Sequence, residues 1–82
     1  MDLKKVLKYA DTRFNDRQMA QIRLGLEKEL NVEVFTNPNF TWQQMSEIRI
    51  GLMKGLDVSL YAKPEYTSNQ MYHIRKNLKN NQ

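Results

Sequence analysis

The chain has 82 residues, 40% hydrophobic and 27% charged, with no cysteine and a net charge of +4. That length holds one domain with a shallow core, and the missing cysteine excludes disulfides and thiolate metal sites. No apolar run approaches the ~18 residues of a membrane span, and Met1-Asp2-Leu3-Lys4-Lys5-Val6-Leu7 lacks a signal-peptide core, so the expectation is a cytoplasmic protein without membrane contact.

In chain order, residues 3–9 are rich in Leu and Lys and predict a helix. Asn15 then stands as an N-cap, with Gln18 three residues on, which is the spacing of a capping box. Phe14 before the cap and Met19 after it have the spacing of a hydrophobic staple. The helix that follows puts Met19, Ile22 and Leu26 on one face. Phe40, Thr41, Gln44 and Met45 repeat this start before a face of Met45, Ile48 and Leu52. Tyr66, Thr67, Gln70 and Met71 repeat it again before Met71, Ile74 and Leu78.

Gly55 is placed to end the middle helix as a left-handed residue, and Glu29 in the matching place predicts a less sharp end to the first. Gly25 and Gly51 fall inside helices, where glycine costs ~1 kcal/mol relative to alanine, and point to a close approach by a neighbouring helix. The connectors 30–38 and 56–64 read in two ways. Val58, Leu60 and Tyr61 suit a short strand, whereas Asp57 suits the cap of one helical turn closed before Pro64. The turn is the favoured reading.

The recurrence has a fixed period. Gln18-Met19, Gln44-Met45 and Gln70-Met71 are 26 residues apart, and residues 14–39 and 40–65 are identical at eleven of 26 positions. A period of this size marks a repeat architecture. The single domain, 1–82, divides into repeats 14–39 and 40–65, a partial copy 66–82 and a partial leading unit 1–13. The expected fold is all-α, a short solenoid-like stack of three capped helices plus an N-terminal helix.

The string Gln-Met-x-x-Ile-Arg-x-Gly-Leu-x-x-Gly-Leu-Asp-Val-Ser-x-Tyr-Ala-x-Pro, from Gln44 to Pro64, resembles a repeat of uncharacterised proteins in Firmicutes bacteria and their mobile elements. The resemblance covers nearly the whole chain. It implies a mobile-element or phage context, in which small proteins bind and block host proteins, and it implies no activity for any residue.

Arg23, Arg49 and Arg75 recur four residues after each core methionine. As structural residues their stems would cover core edges and their heads would pair with carboxylates or helix-end carbonyls. As a ladder they would recognise phosphate or carboxylate groups. Their recurrence together with the core favours the structural reading. The glutamines are explained as caps. His73 is the only histidine, and its counterparts Gln21 and Glu47 read as solvent-facing, so no metal site, cofactor or acid–base pair is expected. An enzyme is the least expected class.

In a repeat protein, constant positions maintain the stack and variable ones present the binding surface. The first helical position is Asp16, Trp42 and Ser68, and the position after each core methionine is Ala20, Ser46 and Tyr72. Trp42 and Tyr72 are therefore the candidate protein-binding residues. The charge favours a protein partner over nucleic acid. Residues 1–23 carry six Lys/Arg against three Asp, residues 24–57 three against five acidic residues, and residues 58–82 four against one. The middle is thus acidic and breaks any basic stripe. The expected function is protein binding, as an inhibitor or modulator of a host protein. Two rivals stay open: nucleic-acid contact through basic ends that include Arg75, Lys76 and Lys79, and homodimer formation by the open ends of the stack.

Overall fold

The helices begin where the cap chemistry predicts. In the computed structural model, which describes residues 3–10 and 13–80, Asn15 Oδ1 accepts from the Gln18 amide while Gln18 Oε1 accepts from the Asn15 amide, both at 2.8 Å. Thr41 with Gln44 and Thr67 with Gln70 exchange the same two bonds, at 2.7 to 3.1 Å. Each exchange satisfies two backbone amides that a helix start leaves without partners. Behind the caps run α2 (Asp16–Glu27), α3 (Trp42–Met53) and α4 (Ser68–Asn80), preceded by α1 (Leu3–Lys8). The fold is all-α, and no strand occurs among the described residues.

α2 and α3 end in one and the same motif. The Leu30 amide donates to the Gly25 carbonyl at 2.9 Å, and the Glu29 amide to Leu26 at 3.0 Å. Leu56 and Gly55 do likewise to Gly51 and Leu52, at 3.0 and 3.1 Å. These are the paired bonds of a Schellman ending, which requires a left-handed residue. Gly55 supplies it at φ 71°, and Glu29 adopts it as well, at φ 57°. The expected weaker ending of α2 is therefore corrected: the same two bonds close it, with Glu29 in a conformation its Cβ disfavours.

The connectors are helical turns rather than strands, at Val32–Val34 and Val58–Leu60. Asp57 Oδ1 accepts from the Ser59 amide at 3.2 Å and its hydroxyl at 2.6 Å, closing the second turn. Both turns fold back on the helix before them, which corrects the expectation for the interior glycines. A Cβ on Gly51 would overlap the Tyr61 hydroxyl and lie 2.7 Å from Val58 Cγ1, and one on Gly25 would lie 2.7 Å from Val32 Cγ1. The close approach comes from the chain's own connector, not from a neighbouring helix.

α3 packs against both α2 and α4, and α1 against α2. Ile22, Met45, Ile48 and Met71 are fully enclosed, with Leu26, Leu52, Ile74 and Leu78 partly buried beside them. The helix faces supply only part of the core. Phe35 and Tyr61 from the connectors are equally enclosed, and Phe14, Phe40, Val32 and Val58 complete the cluster. At ~1.5–3 kcal/mol for each large side chain removed from water, the connectors contribute as much as the helices.

A two-groove face across the helix starts

Bonds between units fix how one helix start sits on the next. Gln18 Nε2, beyond its capping role, donates to the carbonyls of Phe40 at 2.7 Å and Pro38 at 3.4 Å. Gln44 Nε2 does the same to Tyr66 at 2.6 Å and Pro64 at 3.0 Å. One side chain thus caps its own helix and clamps the loop that launches the following one. Arginines reach the other way. Arg49 Nε donates to Gln21 Oε1 at 2.8 Å, and Arg75 Nε to Glu47 Oε1 at 3.0 Å. Gln21 is buried and Glu47 half-buried, so the expectation that these positions face solvent is corrected: they receive an arginine from the next helix.

This staggering leaves two adjoining grooves. The first, between α2 and α3, is lined by Arg17, Ala20, Gln21 and Trp42. The second, between α3 and α4, is a shallow cleft of about 500 Å³ with Trp42 and Tyr72 on its walls and Gln43, Ser46, Glu47, Ser68 and Asn69 between them. The two are built alike, because Arg17, Ala20, Gln21 and Trp42 precede Gln43, Ser46, Glu47 and Ser68 by 26 residues each. At all four of these positions the copies differ, while Ile22/Ile48 and Gly25/Gly51, which the copies share, are buried.

Trp42 forms the ridge between the grooves. It is half-buried rather than solvent-facing as its helical position suggests, and the Arg17 guanidinium lies 5.7 Å from its ring centroid. Tyr72 remains 40% exposed. The Arg75 guanidinium and Lys76 ammonium lie 5.3 and 6.0 Å from its ring centroid, and His73 meets it edge-on at 5.3 Å. Cations over aromatic faces hold both rings in place.

The proposed anion ladder does not assemble. Arg75 is buried and ion-paired with Glu47, and Arg49 is bonded to Gln21 and to Met53 Sδ at 3.3 Å. Only Arg23 of the three is exposed, since no helix precedes α2 at the corresponding distance among the described residues. Lys76 is exposed on α4. The side chain of Lys79 lies outside the described residues, as do Asp11, Thr12, Asn81 and Gln82.

A second polar cluster ties α1 to the first connector. Glu33 accepts from the Tyr9 hydroxyl and, at 3.2 Å, from Lys8 Nζ. The Tyr9 bond first, then that of Lys8, holds the Glu33 carboxyl below its ordinary range. The Glu33 bond in turn raises Lys8, and desolvation, followed by Glu33, raises Tyr9. Among the described residues, no group of three or more His, Asp or Glu could hold a metal ion, and no helix is long and apolar enough to cross a membrane. Comparison with protein-family models, curated proteins and solved structures finds no match.

Proposed function

We propose that the chain is a short helical repeat stack that binds a protein partner through the two-groove face. The observation that carries this is the convergence of Trp42 and Tyr72, 30 residues apart in sequence, on the walls of one cleft. Large aromatic side chains fixed at the edge of a cleft supply contact area at low entropic cost, which is why they anchor interfaces. The recurrence of caps, helix endings and inter-helix bonds at 26-residue spacing supports the repeat reading. The lining of both grooves by the positions that vary between copies supports binding there rather than at the constant positions.

With the resemblance to mobile-element repeats, the partner is read as a host protein that this module inhibits or modulates in the cytoplasm. Nucleic-acid binding draws less support, because Arg49 and Arg75 are engaged inside the fold. The test is capture from lysate at low and moderate salt, with Trp42→Ala as control after circular dichroism has verified its fold. The expected result is a protein partner that withstands moderate salt and is lost with the variant. Recovery of nucleic acid alone, washed off by moderate salt, would refute the reading, because phosphate contacts weaken steeply as salt rises.

A further inference from the structure

Granted that this face binds protein, we infer that the two grooves together hold one extended peptide segment, acidic at both ends and apolar between. Its carboxylates lie over Arg17 and Lys76, and its apolar residues lie against Trp42 and Tyr72.

The shape argues for an extended occupant. Packed helices lie about 8–10 Å apart, so successive grooves repeat at that step, and a strand rising ~3.3 Å per residue covers it with about three residues. A segment crossing both grooves needs about six. An α-helix lying along a groove, about 10–12 Å across with its side chains, is as wide as the whole step and would fill that groove only. Gln43, Ser46, Ser68 and Asn69 in the second groove carry hydroxyl and amide groups that can donate and accept, as the unpaired backbone of an extended segment requires.

The charges argue for acidic ends. Glu47 is the one carboxylate in the groove linings, and Arg75 already neutralises it at 3.0 Å. Asp16 lines neither groove. Among the described residues, two exposed cations stand beside the aromatic walls: Arg17 lines the first groove next to Trp42, and Lys76 flanks the second next to Tyr72. A carboxylate above either cation keeps the cation–ring contact and adds a charge-assisted bond. Two cations separated by two helix steps do not match a nucleic-acid backbone, which carries a phosphate on every nucleotide. They match two carboxylates flanking an apolar middle.

The probe is a phage-displayed library of random 12-residue peptides, selected on the wild-type chain and in parallel on Trp42→Ala, Arg17→Glu and Lys76→Glu. Circular dichroism melts first establish that each variant folds. Wild-type selection is expected to enrich Asp or Glu at two places about five to seven residues apart with apolar residues between. Arg17→Glu should weaken the winning peptide at least tenfold and, on reselection, bring Lys or Arg to one end. A proline in the middle of the peptide, which a helix rejects, should change affinity less than threefold. Winners that need Trp42 but show no acidic bias, or that lose binding with proline, would overturn the inference and leave protein binding standing. If no peptide is enriched in a Trp42-dependent way, the inference fails, and the protein-binding reading stands or falls separately on the lysate capture. Displacement of the winners by a 20-residue oligothymidylate at moderate salt would replace both with nucleic-acid binding.

Discussion

Arg75 reaches back 28 residues to Glu47 and donates to it at 3.0 Å, with side chains only 8% and 18% exposed. Arg49 makes the matching bond to Gln21, at 2.8 Å and across the same sequence interval. One geometry therefore accepts either a charged or a neutral oxygen. Glu47→Gln should accordingly cost no more than about 1 kcal/mol. Glu47→Leu, which strands a buried guanidinium, should cost about 3 kcal/mol. Urea denaturation of the two variants decides, and equal costs would mean that the arginine finds another partner.

Glu29 and Gly55 close their helices with the same bonds, but only glycine does so without a Cβ penalty. Glu29→Gly should stabilise the chain by about 1 kcal/mol, and Gly55→Ala should destabilise it by a similar amount. Opposite shifts in thermal midpoint are the expected reading. A loss of stability in Glu29→Gly would show that the glutamate side chain makes a contact worth more than the strain.

Gln44 and Gln70 provide an internal comparison. Both accept a bond from their cap residue's amide, but Gln44 Nε2 also holds the Pro64 and Tyr66 carbonyls. Gln70 is exposed, and no such clamp is seen for it among the described residues. Gln70→Ala should cost about 0.5–1 kcal/mol, the value of a cap bond. Gln44→Ala should cost about 2–3 kcal/mol, because it leaves carbonyls unsatisfied as well. Chemical denaturation yielding equal values would reduce the clamp to a bystander.

The Tyr61 hydroxyl, bonded to the Glu47 carbonyl at 2.7 Å, is pushed by burial above the ordinary phenol value of 10. The folded state thus favours the neutral phenol. Its contribution is complete below pH 10 and is lost as pH rises beyond it. Tyr61→Phe should cost about 1 kcal/mol at neutral pH, since Phe35 shows that a bare ring fits the matching site. It should also flatten the loss of stability between pH 9 and 11. Tyr9 and Lys8, both raised as well, act in the same direction, so the slope should shrink rather than vanish. Glu33 has the opposite sign: its lowered carboxyl supports the fold above the ordinary carboxylate range and is lost as pH falls through it. Denaturation midpoints across pH 3–11 test both limbs.

What could be read in advance was local. A capping box joins residues three apart, so Asn15 with Gln18 and its two counterparts were legible from spacing alone. The Schellman ending was legible at Gly55 and missed at Glu29, where the residue type disfavours the left-handed conformation it adopts. The clamps from Gln18 and Gln44 escaped notice because their acceptors lie 20 and 22 residues away. Gln21 and Glu47 looked solvent-facing because their arginines arrive 28 residues later. A signal for them existed in the recurring arginine, since Arg49 and Arg75 each find a polar partner 28 residues earlier. Trp42 and Tyr72 were identifiable as variable aromatics, but their meeting in one cleft depends on how α3 packs on α4.

The division of labour within each helix start bears on how such a chain can change. Ala20, Gln43 and Ser46 line the grooves without contributing to the buried core or to the contacts between units described above. Gln21 and Glu47 do both. Substitutions at the first group can therefore retune what the face recognises while the molecule folds as before. A change at the second group alters recognition and helix docking together, so specificity has freer room to drift along one edge of each groove than along the other.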